Sequence, residues 1–232
     1  LLIASCIFYC YFIPAYLLIL IFTILIDYAA GIQIEKTTRK KFWLTCSIIA
    51  NIGILAIFKY YNFFIGNINE AIHTALPLLN IILPIGLSFH TFQALSYTIE
   101  VYRGNYKAEK HLGIYALYVL FYPQLVAGPI ERPQHVLPQL KSVLKFDPQN
   151  LLDGLRLMTW GFFKKLVIAD KISLYVAIIY NHPEQFSAWN VMIAIFLFSL
   201  QIYCDFSGYT DIARGAAKTM GYDLMINFNR PY

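Results

Sequence analysis

The residues best equipped for chemistry stand close together: Gln201, Tyr203, Asp205, Ser207, Tyr209, Thr210 and Asp211, in an otherwise apolar region. They supply two carboxylates, two hydroxyls, two phenols and an amide. Burying a carboxylate without a partner is costly, so these acids need either partners or a task. Ser207-Gly208 could break a helix here, after which Asp211 and Arg214, three apart, have the spacing at which helical neighbours pair. Two readings stand side by side: a structural ion pair at a helix break, or the polar wall of a substrate channel.

A second group is Gln124-Leu125-Val126-Ala127-Gly128-Pro129-Ile130-Glu131-Arg132-Pro133, an apolar stretch that ends in a rigid turn followed by adjacent opposite charges. Turn chemistry explains the glycine and the prolines. It leaves Glu131 and Arg132 unexplained. His90 lies in an apolar run, where an ionisable group is either a functional site or a neutral ring bonded to a neighbouring helix. Gly86-Leu87-Ser88-Phe89-His90 is no hydrolase nucleophile elbow, because its fifth residue is His and no strand precedes it. The polar stretch Asn227-Phe228-Asn229-Arg230-Pro231-Tyr232 brings an Arg that could meet an anion or a carboxylate such as Asp205.

These groups must be positioned by membrane elements. Hydrophobic residues make up 59% of the 232, charged residues 13%, and mean hydropathy is +0.56. Soluble domains run at roughly half apolar and a quarter charged, so lipid must cover much of this chain. The net charge of +5 comes from clusters between apolar runs, including Lys36, Arg39, Lys40 and Lys41, or Lys164, Lys165 and Lys171. That is a topology and headgroup pattern, and it excludes a nucleic-acid patch. Cys6, Cys10, Cys46 and Cys204 lie in or beside apolar runs without metal-ligand spacing and read as small core residues.

Uncharged runs of membrane-spanning length are residues 1–26, split by Pro14, then 42–58, 76–99, 112–130 and 186–204. The bias of Lys and Arg puts residues 35–41 and the loop of Arg103, Lys107 and Lys110 in the cytoplasm. A full crossing by 112–130 would then violate the bias, and Pro123, Gly128 and Pro129 make that run a candidate re-entrant element. From Asp147 an amphipathic helix is predicted, with Asp147 as cap, Pro148 in the first turn, and Leu151, Leu155, Met158, Phe162 and Leu166 on one apolar face. Asp153, Arg156, Trp160, Lys164 and Lys171 fall roughly opposite. The expectation is a helix lying in the interface, its lysines toward lipid headgroups.

In order along nearly the whole chain, residues 83–89, 97–104, 124–133, 160–170, 201–213 and 227–232 resemble the alginate O-acetyltransferase-like branch of the membrane-bound O-acyltransferase family. The specific elements are Ala127-Gly128-Pro129-Ile130-Glu131-Arg132, Asp205-Phe206-Ser207-Gly208-Tyr209-Thr210-Asp211 and Asn227-Phe228-Asn229-Arg230-Pro231-Tyr232. The D-alanyl transferase branch looks less similar around the Gly-Pro motif. His90 departs from the branch, where Tyr is expected.

The resemblance implies an all-α polytopic membrane domain over residues 1–232, with re-entrant and interfacial helices, in the cytoplasmic membrane. It implies transfer of an acetyl group from a cytoplasmic donor such as acetyl-CoA, with no bound cofactor or metal. The acceptor is a hydroxyl of an exported polysaccharide or an extracytoplasmic acetyl-carrier protein. The family's catalytic His is expected beyond Tyr232, and the chain, which starts with Leu1 inside an apolar run, is expected to be an inactive fragment. Its own contribution is then the substrate path, with Glu131, Arg132, Asp205, Ser207, Tyr209, Asp211, Asn229 and Arg230 as candidates. A transporter or flippase of a polysaccharide precursor is the alternative, since it too has broken helices and buried charges. No internal repeat supports it.

Overall fold

The computed structural model describes residues 1–11, 14–80, 83–84, 86–126 and 128–228, and every regular element among them is helical. The helices fall into two compact units, Leu1–Val126 with Ile130–Ser142, and Ala127–Pro129 with Val143–Tyr232.

The first unit holds α1 (Leu2–Cys10), α2 (Pro14–Lys36), α3 (Lys40–Ile72), α4 (Leu87–Arg103), α5 (Leu112–Leu120) and α6 (Pro133–Lys141). Pro14 divides the first apolar run as expected, because its missing N–H costs nothing in a first turn. Beyond it α2 runs to Lys36 rather than stopping at Ile26. Asp27, which ends the uncharged run, is fully buried and bonded to Ser47 and Asn51 of α3. Its partners make it an interior residue, so the helix continues through it.

Helices α2, α3 and α4 pack on one another, and α5 closes against α1, α2, α4 and α6. At the centre three fully buried rings, Tyr97, Tyr115 and Tyr118, have centroids 4.5 to 6.5 Å apart. Gly31 admits this cluster, since a Cβ there would lie 2.8 Å from the Tyr97 ring.

Among the described residues, three helices are long and apolar enough to cross a membrane: α2, α3 and, in the second unit, α9 (Ala188–Thr219). At 1.5 Å per residue, α3 with 33 residues reaches about 50 Å, well beyond a hydrocarbon core of roughly 30 Å.

Two expected spans are corrected, and a third is interrupted as expected. The run 76–99 is not one helix, because α4 begins at Leu87 behind Pro84 and Gly86, whose φ of +76° only glycine adopts freely. A Cβ on Gly86 would also meet the Leu125 carbonyl oxygen at 2.0 Å. Residues 74–80 instead lie extended along α3, where Asn62 accepts from Leu79 N at 2.9 Å and donates to Leu79 O at 2.7 Å. The run 112–130 is helical only to Leu120, about 14 Å, which fits the interruption expected there. The last run continues as α9 straight through Ser207 and Gly208 to Thr219, with no helix break.

In the second unit α7 (Pro148–Phe162) passes into a π-helical turn, Phe163–Ala169, and then α8 (Asp170–Asn181). Asp147 Oδ1 accepts from Gln149 N at 2.9 Å, so the predicted cap forms. The predicted apolar face stays largely exposed, as a helix lying in the interface requires, but Lys164 does not lie on an exposed polar face. Leu155, Phe162 and Leu166 are exposed, whereas Gly154, Gly161 and Lys164 are buried against α9. A Cβ on Gly161 would lie 2.7 Å from Gly208 O, and one on Gly215 would lie 2.6 Å from Gly154 O. In lipid, large apolar side chains gain nothing by turning inward, and helices associate through small residues that let their backbones touch.

Candidate functional site

Lys164 and Lys165 sit in the π-helical turn, a local widening frequent at functional sites. Both reach α9. Lys164 Nζ lies 2.5 Å from Asp211 Oδ2, and Arg214 Nη1 stands 3.5 Å from the other oxygen of the same carboxylate. Lys165 Nζ lies 2.6 Å from Asp205 Oδ1 and 2.7 Å from Asp170 Oδ1, and 5.0 Å from the centroid of the Tyr209 ring. Hydrogen bonds to Asp170 and then Asp205 hold the Lys165 ammonium above the ordinary lysine range, against the opposite pull of desolvation.

This arrangement overturns the expectation that Lys164 and Lys165 face lipid headgroups. Their charge is neutralised inside the unit, because three cations (Lys164, Lys165, Arg214) meet three carboxylates (Asp170, Asp205, Asp211). With no surplus charge, the cluster is not an anion trap. It fixes polar groups at set positions between helices that otherwise touch through glycine. Ser207 is buried one turn from Asp211, and its hydroxyl has no hydrogen-bond partner among the described residues.

Of the sequence candidates, Asp205 and Tyr209 thus share Lys165, while Asp211 belongs to Lys164 and Arg214. Asp211 and Arg214 pair at the expected three-residue spacing, within an unbroken helix. Asn229 and Arg230 lie outside the described residues. The partner the structure gives Asp205 is Lys165. Sequence reasoning missed Lys164, Lys165 and Asp170 as site residues. The available signal was a pair of lysines set between Phe162-Phe163 and Leu166-Val167, where a solvated cation has no reason to be.

In the first unit, Glu131 and Arg132 part company. Arg132 is exposed at the start of α6, and Glu131 is fully buried. Its Oε2 lies 2.9 Å from His135 Nδ1, and its carbonyl accepts from Tyr118 Oη at 2.8 Å. Gln93 Nε2 ties this corner together by donating to Tyr118 O at 2.6 Å and to Gln124 Oε1 at 2.9 Å. A carboxylate that holds one nitrogen of an imidazole orients the ring and fixes which nitrogen exchanges protons. His90, also buried, finds no hydrogen-bond partner for either ring nitrogen among the described residues. On the same side, Lys141 Nζ lies 2.5 Å from Glu109 Oε2, and this hydrogen bond holds the lysine above its ordinary range.

No family profile matches the chain. Among curated proteins, it is 32% identical over its whole length to the peptidoglycan O-acetyltransferase of Helicobacter pylori, covering 50% of that protein. It is 35% identical, again over its whole length, to the probable alginate O-acetylase AlgI of Pseudomonas aeruginosa, covering 46% of it. The teichoic acid D-alanyltransferase of Bacillus subtilis is 28% identical over 67% of the chain and 40% of its own length. The chain spans about half the length of the curated relatives it matches throughout. Helices long and apolar enough to span a membrane, and identity above 30% along the full chain to O-acetyl transfer proteins, place it: the chain belongs to the membrane-bound O-acyltransferase family, in its alginate O-acetyltransferase-like branch.

Proposed function

We propose that the whole protein is a membrane-bound O-acyltransferase that moves acetyl groups from a cytoplasmic thioester donor, acetyl-CoA, to hydroxyls of an exported polysaccharide. The acceptor is an alginate-like exopolysaccharide or a cell-wall polymer, reached directly or through an extracytoplasmic acetyl-carrier protein, and the enzyme sits in the cytoplasmic membrane. The observation that carries this reading is the full-length likeness to the Helicobacter pylori and Pseudomonas aeruginosa proteins, whose names state O-acetyl transfer.

In the reaction a hydroxyl oxygen attacks the thioester carbonyl, a base takes the hydroxyl proton, the carbon–sulfur bond breaks, and the departing thiolate is protonated. The described residues are assigned no part in bond making. Their role is the path: Asp205 and Tyr209 held by Lys165, and Asp211 held by Lys164, set polar groups along α9. Ser207, Asn229 and Arg230 are further candidates, and Glu131 and Arg132, in the first unit, are proposed by themselves.

The test is expression of the full-length protein in a host that makes the polymer but lacks its own acetylase. Ester-bound acetate on the exported polymer is the expected result. Export of polymer without acetylation would instead favour a transporter, and that outcome would end this reading.

A further inference from the structure

We propose that Asp27 is a proton-binding site, standing in the folded membrane protein as a neutral carboxylic acid that donates to Ser47 Oγ. The proposal is independent of the acyl-transfer reading. Asp27 lies on α2, a helix long and apolar enough to cross a membrane, and has no exposed surface. Its partners carry no charge: Ser47 Oγ is 2.5 Å from Oδ1, and Asn51 Nδ2 is 2.9 Å from each carboxyl oxygen.

No cation answers it among the described residues, since the ion pairs of this unit join Arg103 to Glu100, His135 to Glu131 and Lys141 to Glu109. On α3 its partners are Ser47 and Asn51, and the charged residues Lys40, Lys41, Lys59 and Glu70 form no ion pair with it. On α4 the nearby groups are Thr98 and Tyr97, while among the described residues His90, Glu100 and Arg103 form no hydrogen bond or ion pair with it. Helix α5 brings the buried Tyr115, a phenol without a hydrogen-bond partner among the described residues, and α1 carries no Asp, Glu, Lys, Arg or His. An ion held in hydrocarbon by uncharged groups alone is expensive, and a bound proton removes that cost.

The hydroxyl network accommodates a neutral Asp27 when Ser47 turns its proton to Thr98. Thr98 Oγ1 gives its proton to Ala94 O at 3.1 Å, so it accepts from Ser47, 3.3 Å away. Ser47 has one proton to give. With that proton on Thr98, the 2.5 Å contact between Ser47 and Asp27 is filled by a proton from Asp27. Donation then runs Asp27 to Ser47 to Thr98 to Ala94 O, and Asn51 divides its two N–H groups between the carboxyl and Ser47 O.

The experiment compares the full-length wild type with Asp27→Asn by infrared difference spectroscopy at neutral pH, alongside thermal melting in detergent. The expected result is loss of a protonated-carboxyl C=O band in the variant. The amide can donate to Ser47 and accept from Asn51 as the acid does, so the variant should melt within about 4 °C of the wild type. Loss of a carboxylate band instead would overturn the proposal. So would failure of Asp27→Asn to fold, because a neutral side chain of the same shape would then be unable to replace the residue.

Discussion

Lys164 and Asp211 lie 47 positions apart in the chain, yet their charged atoms meet at 2.5 Å, with side chains only 10% and 15% exposed. A pair this sheltered is costly to break from one side. Asp211→Asn leaves Lys164 without an acid and removes the partner of Arg214 as well. We expect a loss of about 3–5 kcal/mol, the usual result of stranding a buried charge. The double variant Lys164→Met with Asp211→Leu should recover part of it. Melting curves of the detergent-extracted protein check this, with Lys164→Met alone completing the cycle, and a double-variant loss equal to the sum of the two single losses would show that the pair carries no coupling.

Asp205→Asn should behave differently. Asp205 is 41% exposed, and Lys165 keeps Asp170 when Asp205 is neutralised. The expected stability cost is at most about 1 kcal/mol, the range of exposed ion pairs. If Asp205 lines the path, acetylation should still fall about tenfold, which corresponds to about 1.4 kcal/mol in the barrier. Polymer acetyl content and melting temperature are measured on the same preparation. Unchanged acetylation would remove Asp205 from the path.

The contrast between these two acids shows what the sequence could and could not disclose. Period and caps located α7, since Asp147 and Pro148 act locally and need no tertiary context. The apolar face of α7 was legible, but the burial of Lys164 and the glycine seam against α9 were not. The rule that large apolar residues point to the core belongs to water, and here lipid takes Leu155 and Phe162 while Gly154 and Gly161 meet α9. Asp211 was legible as a paired acid through Arg214, three residues away. Its partner Lys164 was not legible, because a contact across 47 residues through a π-helical turn leaves no local spacing signal. Asp27 likewise looked like the end of a span, since hydropathy counts its charge and not its partners on α3.

Residues 36–41 and 103–110 are expected to face the cytoplasm, from the basic residues they carry. Single cysteines introduced there in intact cells should resist an impermeant thiol reagent until the membrane is opened. Labelling from outside at either loop would reverse this topology.

The glycines between α7 and α9 offer a test of the packing itself. Gly161 and Gly208 face each other so closely that an added Cβ would meet backbone oxygen at 2.7 and 2.9 Å. Neither contact can be relieved by turning a side chain, so the helices must move apart. That shift would pull Lys164 and Lys165 from their carboxylates. Gly161→Ala and Gly208→Ala are each expected to cost about 1–3 kcal/mol, as overpacked sites do. Gly53 and Gly66 on α3 provide the control, because a Cβ there has nothing within 4 Å. Alanine at those positions should be neutral or stabilising by up to about 1 kcal/mol, through helix propensity alone. Parallel melting of all four variants decides the matter. Equal behaviour would mean that α7 and α9 are not held by backbone contact, and the lysine–carboxylate network would then need another scaffold.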